Sequence, residues 1–174
     1  LKAIHAMEKS EVIIGYTVYV DLVKEHFPGK EFLTTPMKKE VDRCVMAFEE
    51  AKKGKVVSMI CSGDAGVYGM SGLMYEVGVN YPEVELEIIP GVTAATGGAA
   101  VLGAPLIHDF CLISLSDVLT PWEKIEARLL AAAEADFVVC LYNPSSRKRS
   151  DYLQKACDLM MQYKSPETVC GIVS

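Results

Sequence analysis

The sequence predicts an α/β fold whose sheets are mostly parallel. Short runs of apolar, β-branched residues alternate along the chain with segments whose apolar residues recur at helical spacing. The strand candidates are apolar almost throughout instead of at every second position, which is typical of strands covered on both faces. These candidates lie at residues 12–15, 31–33, 55–61, 84–89, 110–115, 137–142 and 169–173.

Helical segments are indicated by apolar periodicity together with terminal signals. Residues 36–53 carry one apolar face, and Thr35 followed by Pro36 predicts the start of that helix. The tetrapeptide TPWE at residues 120–123 has the pattern of a capping box, with its threonine as the N-cap of a second helix. A third helix is predicted over about residues 150–163.

The composition disfavours several classes of protein. Of the 174 residues, 51% are apolar, and 23 acidic residues outnumber 17 basic ones, so a nucleic acid is disfavoured as the main partner. No apolar stretch is long enough for a membrane span, and no secretory signal is recognisable. The 6 cysteines form no C-x-x-C pair and lie far from the histidines. We therefore expect reduced cysteines, no metal site and a cytoplasmic location.

A change in composition divides the chain into two predicted lobes. Residues 91–100 have mostly small side chains and lead to the tripeptide GAP at residues 103–105. We therefore expect an N-terminal α/β lobe at residues 1–105 and a C-terminal α/β lobe at residues 106–174. The sequence begins within a predicted helix and ends on a predicted strand, so we expect a chain that is truncated at both ends.

Strand-to-helix connections hold the candidate site residues. The segment CSGDAGVYG at residues 61–69 follows the strongest predicted strand, and its Asp64 either accepts hydrogen bonds from a ligand or caps the next helix. The segment IPGVTAA at residues 89–95 either admits a flat ligand or packs a helix closely on the sheet. Asn143 precedes a proline, so we expect it to be extended and to face the cleft. The basic residues 147–149 either bind substrate carboxylates or form a solvated loop. No dinucleotide-binding or P-loop motif occurs.

In their order along the chain, these segments resemble the tetrapyrrole methylase family. The matching blocks are SGDAGVYG (62–69), IPGVTAA (89–95), APLIHDF (104–110), SLSDVLTPW (114–122) and LYNP (141–144), with Gly15-Tyr16 near the start. The resemblance implies a two-lobed class III methyltransferase fold, a homodimer, and S-adenosylmethionine bound in the cleft between the lobes. It implies that the cofactor contacts are Ser62, Gly63, Asp64, Val67, Thr93, Ala94, Tyr142 and Asn143.

The blocks at residues 104–110 and 114–122 narrow the implied activity. They resemble the members that methylate C17 of precorrin-3B or cobalt-precorrin-3 and contract the ring during cobalamin biosynthesis. The alternatives are a member acting at C11 or C20, or a diphthine-type or ribosomal-RNA methylase, the last disfavoured by the acidic balance. A non-catalytic S-adenosylmethionine-binding module is the alternative from another class. The family also opens with a strand and a glycine- and proline-rich loop that this sequence lacks.

The implied chemistry limits which residues can be catalytic. Methyl transfer from a sulfonium is an in-line displacement that depends on positioning and on the exclusion of water, so no nucleophilic triad is expected. Ring contraction can require a proton donor or acceptor. The polar candidates nearest the expected cleft are His108, Asp109, Ser116 and Asp117. His108 is alternatively a hinge residue satisfied by the backbone, and Ile107 stands where the family more usually has glycine.

Overall fold

The computed structural model describes residues 1–146 and 149–173. Within them the chain forms one three-stranded and one two-stranded sheet, both parallel, which confirms the predicted α/β class. The chain divides into two compact units, Leu1–Thr93 and Ala94–Ser174. This division assigns residues 94–105 to the second unit, whereas the sequence places the lobe boundary after residue 105. That lobe boundary stays a prediction.

The sheet of the first unit has β1 (Val12–Tyr16) at its centre. β2 (Glu31–Thr35) pairs with one edge of β1, and β3 (Val57–Ile60) pairs with the other. The first three residues of β1 have no exposed surface, because strands cover both edges and helices contact the strand. The helical segments of this unit are α1 (Lys2–Lys9), α2 (Thr17–Val23), a 3-10 turn (Lys24–His26), α3 (Glu40–Lys52) and α4 (Ser71–Gly78).

The core of the first unit forms where α3 packs on β1. Cys44, Ala47 and Phe48 share one buried cluster with Val12 and Ile14 of the strand. The Phe48 ring is 2% exposed, so its truncation to alanine is expected to cost about 3–5 kcal/mol. This packing fixes the sheet, and the carboxyl end of β3 is where the first candidate loop begins.

The second unit is a βαβ arrangement with additional helices. Its elements are α5 (Ala94–Val101), β4 (Phe110–Ser114), α6 (Trp122–Glu134), β5 (Val138–Tyr142) and α7 (Tyr152–Met160). Leu115, Ile125 and Leu129 have no exposed surface and form the centre of its core. Because β4 and β5 are parallel, their carboxyl ends lie at the same edge of the sheet.

Two predicted strands are wrong within the described residues. Residues 84–89 and 169–173 have the apolar composition of strands but pair with no neighbouring strand there. A strand needs a partner for its backbone hydrogen bonds, which an apolar run does not by itself provide. At residues 169–173 the run is not buried either, because Val169 and Ile172 are 95% and 87% exposed. Val84 and Leu86 instead pack against the core cluster of the first unit. In the second unit, Val173 lies next to Gly98 of α5.

Two predicted helix starts are also wrong. α3 begins at Glu40, because Lys38 has a φ of 67°, a left-handed conformation that a right-handed helix cannot include. α6 begins at Trp122, and Pro121 is the N-cap with an extended ψ of 146°. Thr120 therefore lies one position too early to cap this helix, and the N-cap makes no side-chain hydrogen bond. The third predicted helix is confirmed with shorter bounds, as α7.

Candidate functional site

Asp64 joins the two candidate loops of the first unit. Its Oδ1 atom accepts a hydrogen bond from the Gly66 amide and its Oδ2 atom accepts one from the Gly91 amide, each at 2.8 Å. The Val67 amide donates to the backbone oxygen of Asp64 at 3.2 Å. The N-cap of α4 is Met70, so the alternative in which Asp64 caps the next helix is wrong. The carboxylate instead links residues 61–69 to residues 89–95.

These amide donors keep Asp64 charged. The hydrogen bond from Gly91, followed by that from Gly66, holds the pKa of the Asp64 carboxyl below its ordinary value of 3.8. The sequence suggested that this carboxylate accepts hydrogen bonds from a ligand. Each carboxylate oxygen can accept more than one hydrogen bond, so closing the loop does not use up this capacity.

Two glycines allow the loops to approach each other. A Cβ atom at Gly91 would lie 2.0 Å from the Gly63 carbonyl oxygen, which is closer than any side chain can approach. Gly63 itself has a φ of 73°, in the region that favours glycine. A Cβ atom on Gly63 would lie 3.8 Å from the Cα atom of Thr93. Thr93 of the second loop therefore lies next to Gly63 of the first loop.

A cavity of about 310 Å³ lies against these loops in the first unit. Ser62 and Gly63 line it from one candidate loop, and Pro90 and Gly91 line it from the other. Much of its remaining wall is apolar and includes Tyr19. A largely apolar cavity with a few polar groups and exposed loop backbone is typical of small-molecule sites. Its position after the carboxyl end of β3 is the position expected for an α/β sheet.

In the second unit, Tyr142 and Asn143 end β5. The Tyr142 hydroxyl accepts a hydrogen bond from the Ala95 amide at 2.7 Å, which fixes the start of α5 next to Ala94. Asn143 has a φ of 51°, so the predicted extended conformation before Pro144 is wrong. This left-handed conformation is one that asparagine tolerates better than most residues. Its Nδ2 atom donates to the Ser114 hydroxyl at 2.9 Å, so the ends of β4 and β5 are joined.

Asp117 follows β4 and is held by side chains. Its Oδ2 atom accepts a hydrogen bond from the Tyr152 hydroxyl at 2.7 Å, and its Oδ1 atom lies 3.3 Å from Nη1 of Arg149. These donors, the tyrosine first, hold the pKa of the Asp117 carboxyl below its ordinary value. The same Nη1 atom donates to the Ser116 hydroxyl at 2.6 Å. The sequence analysis did not nominate Tyr152 or Ser114 as site residues, although Ser114 lies in the block at residues 114–122, because only the fold brings their side chains to Asp117 and Asn143.

His108 and Asp109 lie at the opposite end of β4. Both are exposed, and the backbone oxygen of Asp109 accepts a hydrogen bond from the Val138 amide at 3.0 Å, where the sheet begins. β4 separates this pair from Ser116 and Asp117 by roughly 16 Å at about 3.3 Å per residue. One reacting atom cannot be within hydrogen-bond reach of both pairs. Arg147 and Lys148, the other basic candidates beside Arg149, lie outside the described residues.

Across residues 1–146 and 149–173, no group of three or more His, Cys, Asp or Glu side chains could hold a metal ion. No helix in the same part of the chain has both the length and the apolar character needed to cross a membrane.

Comparison with known sequences identifies related proteins. The family model for Tetrapyrrole (Corrin/Porphyrin) Methylases matches residues 1–174. A protein of Salmonella typhimurium named "Probable cobalt-factor III C(17)-methyltransferase" is 49% identical over 174 residues, a match covering 99% of this chain and 72% of the relative. The "Precorrin-3B C(17)-methyltransferase" of Sinorhizobium sp. is 42% identical over 159 residues, which cover 89% of this chain and 62% of the relative.

Comparison with solved structures agrees with the sequence comparison. The crystal structure of the methyltransferase CobJ is similar with a TM-score of 0.87 and 37% identity, covering 94% of this chain and 69% of that one. The family match extends over the whole chain, and the Salmonella relative is nearly half identical. The chain therefore belongs to the tetrapyrrole (corrin/porphyrin) methylase family.

Proposed function

We propose that this chain is an S-adenosylmethionine-dependent enzyme that methylates C17 of precorrin-3B, or of its cobalt-containing counterpart, and contracts the ring in cobalamin biosynthesis. The observation that carries the C17 assignment is the 49% identity to the Salmonella relative, whose name specifies that position. The Sinorhizobium relative is named for the same position on precorrin-3B. The chain spans 72% and 62% of these two proteins.

The first unit has a site that fits the cofactor. The proposed contacts there are Ser62, Gly63, Asp64, Val67 and Thr93. Ser62 and Gly63 line the cavity, and the glycines of both loops leave backbone groups accessible to a ligand. An ionised Asp64 favours a methyl donor that carries a positive charge, because opposite charges attract. This set of backbone groups, two hydroxyls and one carboxylate suits a polar, cationic nucleoside.

Methyl transfer requires the protein mainly to position the methyl donor and the acceptor carbon. When bound, S-adenosylmethionine supplies a methyl group on a sulfonium, and its leaving group carries no proton. The chain's own task is therefore to hold the donor in line with the ring carbon and to exclude water. The loop closed by Asp64 provides a fixed wall for the donor, since hydrogen bonds join both of its segments. No residue of this loop needs to act as a nucleophile.

The remaining assignments are proposals of the same kind. Ala94, Tyr142 and Asn143 of the second unit are proposed as further cofactor contacts. His108, Asp109, Ser116 and Asp117 are proposed to be near the reacting ring, although Ser116 and Asp117 already accept hydrogen bonds from the protein. The family resemblance supports a homodimer and a tetrapyrrole as the small-molecule partner, and the free cysteines support a cytoplasmic location.

The proposed cofactor site is tested by calorimetric titration with S-adenosylhomocysteine. We expect micromolar binding that weakens about tenfold in Asp64→Ala, the effect of losing one charge-assisted hydrogen bond. Asp64→Asn keeps an oxygen acceptor and should lie between the two. Asp42→Ala removes an exposed carboxylate of α3 and serves as the matched control with unchanged affinity. Equal affinity in all four proteins would show that the first-unit loop is not the cofactor site.

A further inference from the structure

We propose that Arg149 is a positioning residue that fixes the side chain of Asn143 through Ser116 and Ser114. The inference rests on the proposed function, in which Asn143 contacts the cofactor. It gives Arg149 a role different from the substrate-carboxylate contact that the sequence suggested. All of these residues lie in the second unit, at the carboxyl ends of β4 and β5.

The guanidinium of Arg149 connects the loops that follow the two strands. Its Nη1 atom donates to the Ser116 hydroxyl at 2.6 Å and lies 3.3 Å from Oδ1 of Asp117, both in the loop after β4. Its Nε atom donates to the Ser146 hydroxyl at 3.1 Å, in the loop after β5. The Arg149 side chain is only 15% exposed, so water competes poorly for these hydrogen bonds.

A short series of hydrogen bonds continues from Ser116 to Asn143. The Ser116 amide donates to the Ser114 hydroxyl at 3.2 Å, and the same hydroxyl accepts from Nδ2 of Asn143 at 2.9 Å. Ser114 therefore receives one hydrogen bond from each loop. Asn143 adopts a φ of 51°, a left-handed conformation that asparagine tolerates. The contact with Ser114 therefore orients its side chain.

Asp117 also holds the guanidinium of Arg149 in place. Its two carboxylate oxygens accept from Arg149 and from the Tyr152 hydroxyl, which belongs to the first turn of α7. The loop after β4 is thus tied both to Arg149 and to a helix. A substrate carboxylate that engaged the same face of the guanidinium would have to displace Asp117 and Ser116. The arrangement therefore suits positioning better than substrate binding.

The first test needs no ligand. In isotope-labelled protein, the side-chain amide resonance of Asn143 is assigned from its loss in Asn143→Ala. We expect Arg149→Met to shift or broaden this resonance, while Arg128→Met, which removes an exposed arginine of α6, leaves it unchanged. Ser116→Ala removes one acceptor of Arg149 and should change the Asn143 resonance less. This variant takes the place of Arg149→Met if Arg149→Met fails to fold. An unchanged Asn143 resonance in Arg149→Met or Ser116→Ala overturns the proposal.

The second test measures S-adenosylhomocysteine affinity in a double-mutant cycle. We expect Arg149→Met to weaken binding about tenfold, Arg149→Lys to weaken it less, and Arg149→Met to have little further effect once Asn143 is alanine. If the loss of affinity in the double variant equals the product of the losses in Arg149→Met and Asn143→Ala, the two residues act independently. That result, in variants whose thermal midpoints are near that of the wild type, would contradict positioning through Asn143. Absence of binding by the wild-type chain would instead contradict the proposed function, while the resonance test still decides the role of Arg149.

Discussion

In the first unit the Asp64 carboxylate accepts hydrogen bonds from the backbone amides of Gly66 and Gly91. In the second unit the Asp117 carboxylate instead accepts them from the side chains of Arg149 and Tyr152. Both carboxylates follow the carboxyl end of a parallel strand, and both have a lowered pKa. The backbone contact requires glycine at the point of closest approach, whereas the side-chain contact requires particular partners. The two loops should therefore be disrupted by different substitutions.

The largest effect is expected where the backbones of the first unit meet. Gly91→Ala places a Cβ atom 2.0 Å from the Gly63 carbonyl oxygen, so the loops must separate. We expect a loss of about 1–3 kcal/mol in the free energy of unfolding, together with loss of S-adenosylhomocysteine binding. Urea unfolding and calorimetric titration measure the two effects.

Gly72→Ala is the matched control for this prediction. A Cβ atom at Gly72 of α4 would have no atom within 4 Å, so the change should be neutral or stabilise the helix by up to about 1 kcal/mol. If Gly91→Ala is as stable as Gly72→Ala and binds normally, the close approach of the two loops is not required.

An intermediate effect is expected in the second unit from loss of the Tyr142 hydroxyl. Tyr142→Phe leaves the Ala95 amide without this acceptor at the start of α5. We expect the free energy of unfolding to fall by about 0.5–1.5 kcal/mol, the usual contribution of a neutral hydrogen bond. Tyr163→Phe changes an exposed tyrosine and should leave stability unchanged, so equal urea midpoints for the two variants would contradict the assignment.

The smallest effect on the free energy of unfolding is expected when the pH is lowered. Asp64 has a lowered pKa in the folded chain, so its ionised form stabilises the fold above the ordinary value of 3.8, and this contribution is lost as the pH falls through the folded pKa. The difference in unfolding free energy between the wild type and Asp64→Asn should therefore shrink below pH 3.8. A difference that stays constant from neutral to acidic pH would mean that the Asp64 charge does not stabilise the loop.

The two units are alike in how far the sequence predicts them, since each contains one wrongly predicted strand and one wrongly predicted helix start. β1, β4 and β5 were predictable because each is a short apolar run that pairs within a sheet. The run at residues 84–89, VELEII, is also rich in aliphatic residues but has no strand partner in the described part of the chain, and composition alone does not report pairing. Start signals failed at α3 and α6, where local backbone conformation sets the first residue.

The contacts of the candidate site differ in how far the sequence predicts them. Contact between Asp64 and Gly91 was foreseeable in outline, since both segments contain glycines at the expected end of the sheet. The contact between Asp117 and Arg149 joins residues 32 apart, and nothing local in either segment marks the other as a partner. The sequence could therefore nominate Asp117 as a polar candidate but could not show that its carboxylate accepts hydrogen bonds from Arg149 and Tyr152.

The most direct test of the proposed activity is the position of the transferred methyl group. The chain is incubated anaerobically with precorrin-3B, or with its cobalt form, and with S-adenosylmethionine labelled in the methyl group, and the product is examined by NMR. We predict label at C17 of a ring-contracted product. Label at C11 or C20, or binding of the donor without any transfer, would contradict the account.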